Sequence, residues 1–299
     1  MTYKEEVCID AGTENCPCLL AQSGDCLTCS RLQGKDFCDC GWRGVCIYNE
    51  YIQNGKKINN RRESKRCRIL KKIWYGEHLL VFVVEVSRGF ALKASLPGSY
   101  VFLKPHGYSS CYSVPISVMR SDPDKGQIHL AVNVMAGKTK ALTEAGDEIE
   151  VRGVYRNGLL GVRKLLKKQP QKVLCITKGV GFAPAAHYNR WALGKDTVDL
   201  IVDLDKINQE LVNDYLADCP ANSIRYTKLT ADFVCPTGYD AILLLASDYY
   251  QDAISIPGEK AVYSNNFHMC CGEGICGACT MVDETGKSHK MCKCQFYDF

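Results

Sequence analysis

The chain has 299 residues, 46% of them hydrophobic and 23% charged, with a formal net charge of +4. That length predicts two domains with room for a third small module, the mild and dispersed charge predicts no nucleic-acid partner, and no apolar run approaches the roughly 20 residues that span a bilayer. The first residues hold no basic stretch followed by an apolar one, so a cytoplasmic protein is expected, and there nineteen cysteines read as metal ligands more than as disulfides.

The cysteines gather at the two ends, eight from Cys8 to Cys46 and six from Cys270 to Cys294. Residues 1–64 form a predicted cysteine-rich metal-binding module and linker. Cys16-x-Cys18, Cys26-x2-Cys29, Cys38-x-Cys40 and Cys46 supply thiolates for one or two four-ligand sites, and so short a segment needs metal to fix its fold. Spacing leaves open an iron–sulfur cluster, zinc, or disulfides and free thiols, and places Cys8 and Cys46 least securely. The basic run "KKINNRRESKRCR", residues 57–69, reads as a solvated linker, with docking to an acidic partner as the alternative.

Residues 65–160 read as short strands separated by turns, among them "EHLLVFVVEV", "SYVFLK", "YSVPISVM", "QIHLAVNVM" and "DEIEVRGVY", which predicts a small antiparallel β-barrel. Over residues 161–265 strand and helix alternate. "KVLCITKG", "TVDLIVDL" and "YDAILLLAS" are apolar enough for parallel strands covered on both faces, with "APAAHYNRWALG" and "NQELVNDYLADC" as helices between them. The histidines form no ligand-like pair, Tyr188 and Trp191 are expected in the core, and no nucleophile elbow or phosphate-binding Walker loop is present.

Residues 266–299 hold the most specific motif. Cys271, Cys276 and Cys279 stand in C-x4-C-x2-C spacing, the loop that holds a plant-type 2Fe-2S cluster. Gly272, Gly274 and Gly277 let the backbone turn its amides toward a negative cluster. A zinc knuckle would favour paired C-x2-C units instead. Cys292 and Cys294 are both candidates for the fourth thiolate, and Cys270 falls outside the spacing.

The barrel, the α/β segment and the terminal "MCCGEGICGAC" together resemble the electron-transfer subunits of two-component dihydroorotate dehydrogenases and the related sulfide dehydrogenase and ferredoxin-NADP reductase-like flavoproteins of anaerobes, over about residues 65–299. The resemblance implies an FAD-binding barrel, a nucleotide-binding α/β domain and a C-terminal 2Fe-2S loop whose fourth ligand is Cys292. It places the flavin against Pro115, Ile116 and Ser117 of "VPIS", and the FAD pyrophosphate at Gly137, Lys138 and Thr139. "TKGVGFAP", with Gly179 and Gly181, is similar to the family's glycine-rich nicotinamide loop, and an ordinary strand-to-helix turn is its alternative.

Departures from the family pattern bear on function. Val114 stands where the family has arginine, Lys178 occupies a glycine position, and "ASD", residues 246–248, replaces a "CGP" triplet, so that Asp248 would repel an anionic cofactor. The resemblance implies an electron-transfer component of a hetero-oligomeric oxidoreductase, passing electrons between FAD and iron–sulfur clusters and a catalytic partner subunit. An iron–sulfur cluster at the N-terminal module would extend that path. The rivals are an iron–sulfur adaptor with degenerate FAD and NAD sites, and a self-sufficient NAD(P)H-dependent flavin reductase.

Overall fold

The computed structural model describes residues 6–296; residues 1–5, part of the stretch read for a leader, and residues 297–299 lie outside the described residues. The chain divides into two compact units, Met1–Glu63 with Phe267–Phe299, and Ser64–Asn266. The two cysteine-rich ends therefore belong to one body.

In chain order the first unit begins with β1 (Glu6–Cys8), α1 (Leu19–Ser23) and α2 (Ile47–Gln53). Its N-terminal part packs a small core of Cys16, Ala21, Cys26, Cys29, Leu32, Ile47 and Tyr51, three of the seven being cysteines, with Leu20 also buried. Each large buried side chain contributes about 1.5–3 kcal/mol, so a cluster of this size offsets only part of the ordering entropy of the N-terminal segment.

The second unit carries the barrel. Its strands are β2 (Ser64–Tyr75), β3 (Leu79–Glu85), β4 (Tyr100–Pro105), β5 (Val114–Asp122), β6 (Gln127–Asn133) and β7 (Glu148–Tyr155), with α3 (Arg88–Ala94) after β3 and α4 (Gly137–Thr143) after β6. They close in the order β2-β3-β6-β5-β4-β7. Alternate residues such as Leu80, Phe82, Val84, Val101, Leu103, Ile128, Leu130, Val132, Ile149 and Val151 fill the interior, as the two-residue period of a strand requires.

The α/β part follows: β8 (Leu159–Leu160), β9 (Lys172–Lys178), α5 (Phe182–Trp191), β10 (Thr197–Asp203), α6 (Gln209–Leu216), β11 (Ser223–Tyr226), β12 (Ala241–Leu245), α7 (Asp248–Ala253) and β13 (Ala261–Ser264). The sheet order is β11-β10-β9-β12-β13-β8, parallel except at β8. Asn208 caps α6, its side chain accepting from the Leu211 amide at 3.0 Å. Barrel and sheet meet at polar contacts: the Tyr215 hydroxyl and His129 Nδ1 share a hydrogen bond of 2.7 Å, and the Tyr75 hydroxyl donates to Asp214 at 2.7 Å. The chain returns to the first unit through β14 (Thr280–Val282), β15 (Ser288–Lys290) and β16 (Cys294–Phe296), and β16 pairs antiparallel with β1. Among the described residues, no helix is long and apolar enough to cross a membrane.

The basic run at 57–69 is not a solvated linker throughout. Residues 64–69 open β2, pairing with β7 from Ser64↔Arg152 onward. Cys67 and Ile69 turn toward the barrel core while the flanking basic residues face solvent, and that charge conceals the alternation in the sequence. Arg62 is the opposite case: its side chain is only 4% exposed and bonds Asp10 at 2.7 Å.

Candidate functional site

The C-terminal loop gathers the three cysteines that its spacing singles out with Cys292, the fourth that the resemblance implies. Cys271 is in hydrogen-bonding contact with both Cys276 and Cys292, and Cys279 with Cys292, so the thiols form a continuous chain. Cys292, from the turn after β15, is the member that closes the set, whereas Cys294 is fully buried two residues on in β16, opposite Cys8. Cys270 is exposed. Backbone amides converge on the sulfurs: Glu273 N–H donates to Cys271 Sγ at 3.3 Å, joined by Cys276 N–H, and Ala278 N–H serves Cys276. Contact with Cys292 is the main reason that the Cys271 thiol is pushed down to about 4 and the Cys279 thiol down to about 6, while those same contacts drive Cys292 upward. A thiolate is the form that binds iron or zinc. Gly272, Gly274 and Gly277 all have positive φ, at 70°, 80° and 75°. At Gly274 a side chain would also stand 3.0 Å from Leu20 on α1.

Among the described residues, no three His, Cys, Asp or Glu side chains stand in a completed coordinating arrangement. The C-terminal thiols touch in pairs; the donor set, its amide shell and its glycines are those a 2Fe-2S cluster uses. Beside them lies a buried ionic network. Lys293 is fully buried and donates to Asp10 at 2.6 Å and to Glu273 at 2.9 Å, while Arg62 bridges Asp10 at 2.7 Å and Glu273 at 3.5 Å. Against the pull of burial, the Lys293 and Arg62 charges hold the Asp10 carboxyl well below the carboxylate range.

The N-terminal cysteines separate by environment. Cys8, Cys16, Cys26 and Cys29 are buried and Cys18 is half-buried. Cys38 is exposed and Cys40 half-buried, and their sulfurs lie 3.9 Å apart, away from the module's core. Burial pushes the Cys16 thiol up to about 12 and raises Cys26 as well.

On the barrel, the register aligns Pro115 of β5 with Phe102 of β4, and Phe102 in turn with Arg152 of β7. Pro115 is exposed, Ser117 half-exposed and Ile116 turned into the core, so the three expected flavin contacts do not share one face. The Arg152 guanidinium lies 4.5 Å over the Phe102 ring and bonds the Tyr155 hydroxyl, in a cluster where Tyr100 and Tyr155 stack at 5.2 Å. Thus a cation occupies the row of Pro115, although the arginine expected at Val114 is missing. The second expected FAD segment is close by, because Tyr108 donates to Glu144, just after α4, at 2.7 Å. Gly137 and Lys138 are exposed at the start of α4, whereas the Thr139 hydroxyl is engaged by the Met135 and Ala136 amides at 3.0 and 3.2 Å. Tyr112, packed edge-on against Tyr108 at 4.9 Å, adds an exposed aromatic face. Arg152 and Tyr112 escaped the sequence reading; the register of β4 with β7 is the signal that locates the first.

In the α/β part, Gly179–Gly181 follows β9 and Ala246–Asp248 follows β12, the two adjacent parallel strands where the sheet order reverses and ligands of such sheets bind. The residues themselves suit a nicotinamide dinucleotide poorly. Lys178 donates to Asp203 at 2.6 Å and lies 3.4 Å from Asp205, so its charge is committed within the chain. A side chain at Gly181 would come 2.0 Å from the Leu245 carbonyl, which accounts for that glycine by packing alone. Asp248 accepts from Asn266 at 2.9 Å and keeps a carboxylate at the end of β12. A cavity of about 420 Å³ at the ends of β9, β10 and β11 is lined by Lys178, Asp203, Asp205, Tyr226 and Lys228 among others.

No family model matches the chain. It is 25% identical over 209 residues to the electron transfer subunit of dihydroorotate dehydrogenase B (NAD(+)) from Clostridium acetobutylicum, covering 66% of this chain and 81% of that protein. Among solved structures, it is similar to the NADH-dependent reduced ferredoxin-NADP oxidoreductase, a structure described in terms of flavin-based electron bifurcation, with TM-score 0.55, 17% identity, and 76% and 85% of the two chains covered. It also superposes on an intact type IV self-sufficient cytochrome P450 monooxygenase with TM-score 0.52 and 12% identity, covering 78% of this chain and 40% of that one. The fold is therefore that of ferredoxin-NADP reductase-like proteins, and the sequence is similar to the electron transfer subunit of dihydroorotate dehydrogenase B.

Proposed function

We propose that the chain is an electron-transfer subunit of an oxidoreductase complex, carrying FAD on its barrel and a 2Fe-2S cluster in its C-terminal loop, and exchanging electrons with a catalytic partner subunit. The observation that carries this reading is the convergence of Cys271, Cys276, Cys279 and Cys292 under backbone amides, on a chain whose other unit has a flavoprotein fold. A flavin takes electrons in pairs and yields them singly to a one-electron centre.

The chain's own part is to hold and bias these groups. The four thiols are the cluster ligands, and the amides of Glu273, Cys276 and Ala278 offset the negative charge of the thiolates. Pro115 and Ser117 border the flavin, Arg152 supplies the cation that Val114 does not, and the amides of Gly137 and Lys138 face the pyrophosphate. Lys178 is bound to Asp203 and Asp205, so its charge is not offered to a nicotinamide phosphate at the glycine loop. Electrons accordingly enter or leave through the partner, and no step is assigned to NAD(P)H.

An absorption spectrum and an iron and labile-sulfide assay of anaerobically purified protein test this. Flavin bands that survive desalting, with iron and sulfide in equal amounts at the C-terminal loop, are expected. Iron and sulfide without flavin would leave the adaptor reading in its place, and bleaching of the isolated chain by NADH would establish the self-sufficient reductase.

A further inference from the structure

The N-terminal thiols hold a site of their own. Cys8, Cys16, Cys18 and Cys26 all line one small cavity, closed by Leu20 and Ile47. Three of the four sulfurs receive backbone N–H groups: Asp10 N–H at Cys8, Gly12 N–H at Cys16, and both Thr28 and Cys29 N–H at Cys26, the last at 3.4 Å. Cys18 is near enough to interact electrostatically with each of the other three. The loop that carries Cys16 and Cys18 is clamped from outside, the Asn59 side chain donating to the Cys16 carbonyl at 3.0 Å and its amide to Pro17 at 2.9 Å. Buried thiols bordering a common cavity, with amides aimed at the sulfurs, make a donor set for a soft cation.

We propose that Cys8, Cys16, Cys18 and Cys26 bind a single four-coordinate metal ion, zinc(II) or iron(II), rather than a cluster. The cavity measures about 10 Å³, room for roughly one water-sized atom. One ion held at about 2.3 Å from four sulfurs matches that space. Cys29 acts through its amide on Cys26, and Cys38 and Cys40 stand outside the site. Cys8 comes from β1, which pairs with β16 immediately beyond Cys292, and Gly274 of the C-terminal loop rests on Leu20, two residues after Cys18. The ion thereby fastens the strand and helix against which the C-terminal cysteine loop is built, in a segment whose small core offsets only part of its ordering entropy. This assignment does not depend on the flavin reading.

Zinc, iron and labile sulfide are measured on the anaerobically purified full chain. The expected result is one equivalent of zinc, or of iron in excess over sulfide, that is lost in Cys18→Ser/Cys26→Ser and kept in Cys38→Ser/Cys40→Ser. Iron matching sulfide atom for atom without zinc overturns the proposal. Because the first variant can fail to fold, alkylation of the wild-type chain gives a second measure. Cys18 should resist iodoacetamide until a chelator strips the metal and then react, while Cys38 reacts in both states. Equal labelling of Cys18 before and after chelation overturns the site.

Discussion

The ammonium of Lys293 lies 2.6 Å from the Asp10 carboxylate across 283 residues of sequence, and neither side chain is more than 4% exposed. Lys293 follows Cys292 and Asp10 lines the N-terminal thiol cavity, so this one bond ties together both cysteine clusters of the unit. Asp10→Asn removes the charge that faces both Lys293 and Arg62, two buried cations that also share Glu273. Breaking a buried ion pair by removing one partner costs about 3–5 kcal/mol. Unfolding of the full chain should show that loss in the transition of the cysteine-rich unit, with faster release of metal to a chelator. Lys293→Met with Asp10 intact should cost a comparable amount by the reverse imbalance. Unchanged unfolding and metal release in both variants would contradict the argument.

Arg152 is expected to stand in for the missing arginine at Val114. A charge-assisted hydrogen bond contributes about 1.5–3 kcal/mol, so Arg152→Ala should weaken FAD binding by about 10- to 100-fold. Arg152→Lys should recover part of it, since the charge remains and the planar fork does not. Flavin fluorescence titration of the apoprotein reads the difference. Equal affinity in all three proteins would place the flavin away from the Pro115–Phe102–Arg152 row.

Two buried histidines set an acid limit on the larger unit. Burial lowers His129 and His187 from 6.5 to about 4; for His129 the neighbouring Arg120 charge adds to the effect. Both are therefore neutral in the folded chain near neutral pH, and His129 Nδ1 is hydrogen-bonded to the Tyr215 hydroxyl. Since the unfolded chain binds more protons between pH 6.5 and 4, stability is full above that window and falls as pH drops through it. Linkage gives about 2 kcal/mol per histidine at pH 5. Urea unfolding at pH 7.5 and 5 should show this, and His129→Gln, which keeps a hydrogen-bonding group toward Tyr215, should remove about half of the difference. A pH-independent unfolding midpoint would refute it.

Much of the plan could be read from the residues alone. The period-two apolar strands after residue 77 and the strand–helix alternation after residue 170 specify the barrel and the parallel sheet, because side-chain period is a local property of the backbone. The x4 and x2 gaps among Cys271, Cys276 and Cys279 likewise mark the loop from which the cluster is proposed, since three cysteines and three glycines lie within nine residues and need no distant partner. β2 was hidden because its exposed face is basic, and the short β8, β11 and β13 because two to four residues carry no period.

Relations between distant segments came only from the tertiary structure. That Cys294 enters β16, that Lys178 is spent on Asp203 and Asp205, and that Arg152 shares a row with Pro115 all follow from strand register and chain crossing, whereas Cys292, which spacing leaves level with Cys294, is named only through the family resemblance. The N-terminal cysteines show the division most clearly. Their sequence offers seven or eight interchangeable thiols, and nothing local ranks them. Packing of β1 on β16 and of α1 on the C-terminal loop brings Cys8, Cys16, Cys18 and Cys26 to one cavity and leaves Cys38 and Cys40 outside it. Ligand choice depends on distance through space, and in this unit that distance is set by two chain ends joined across more than 200 residues.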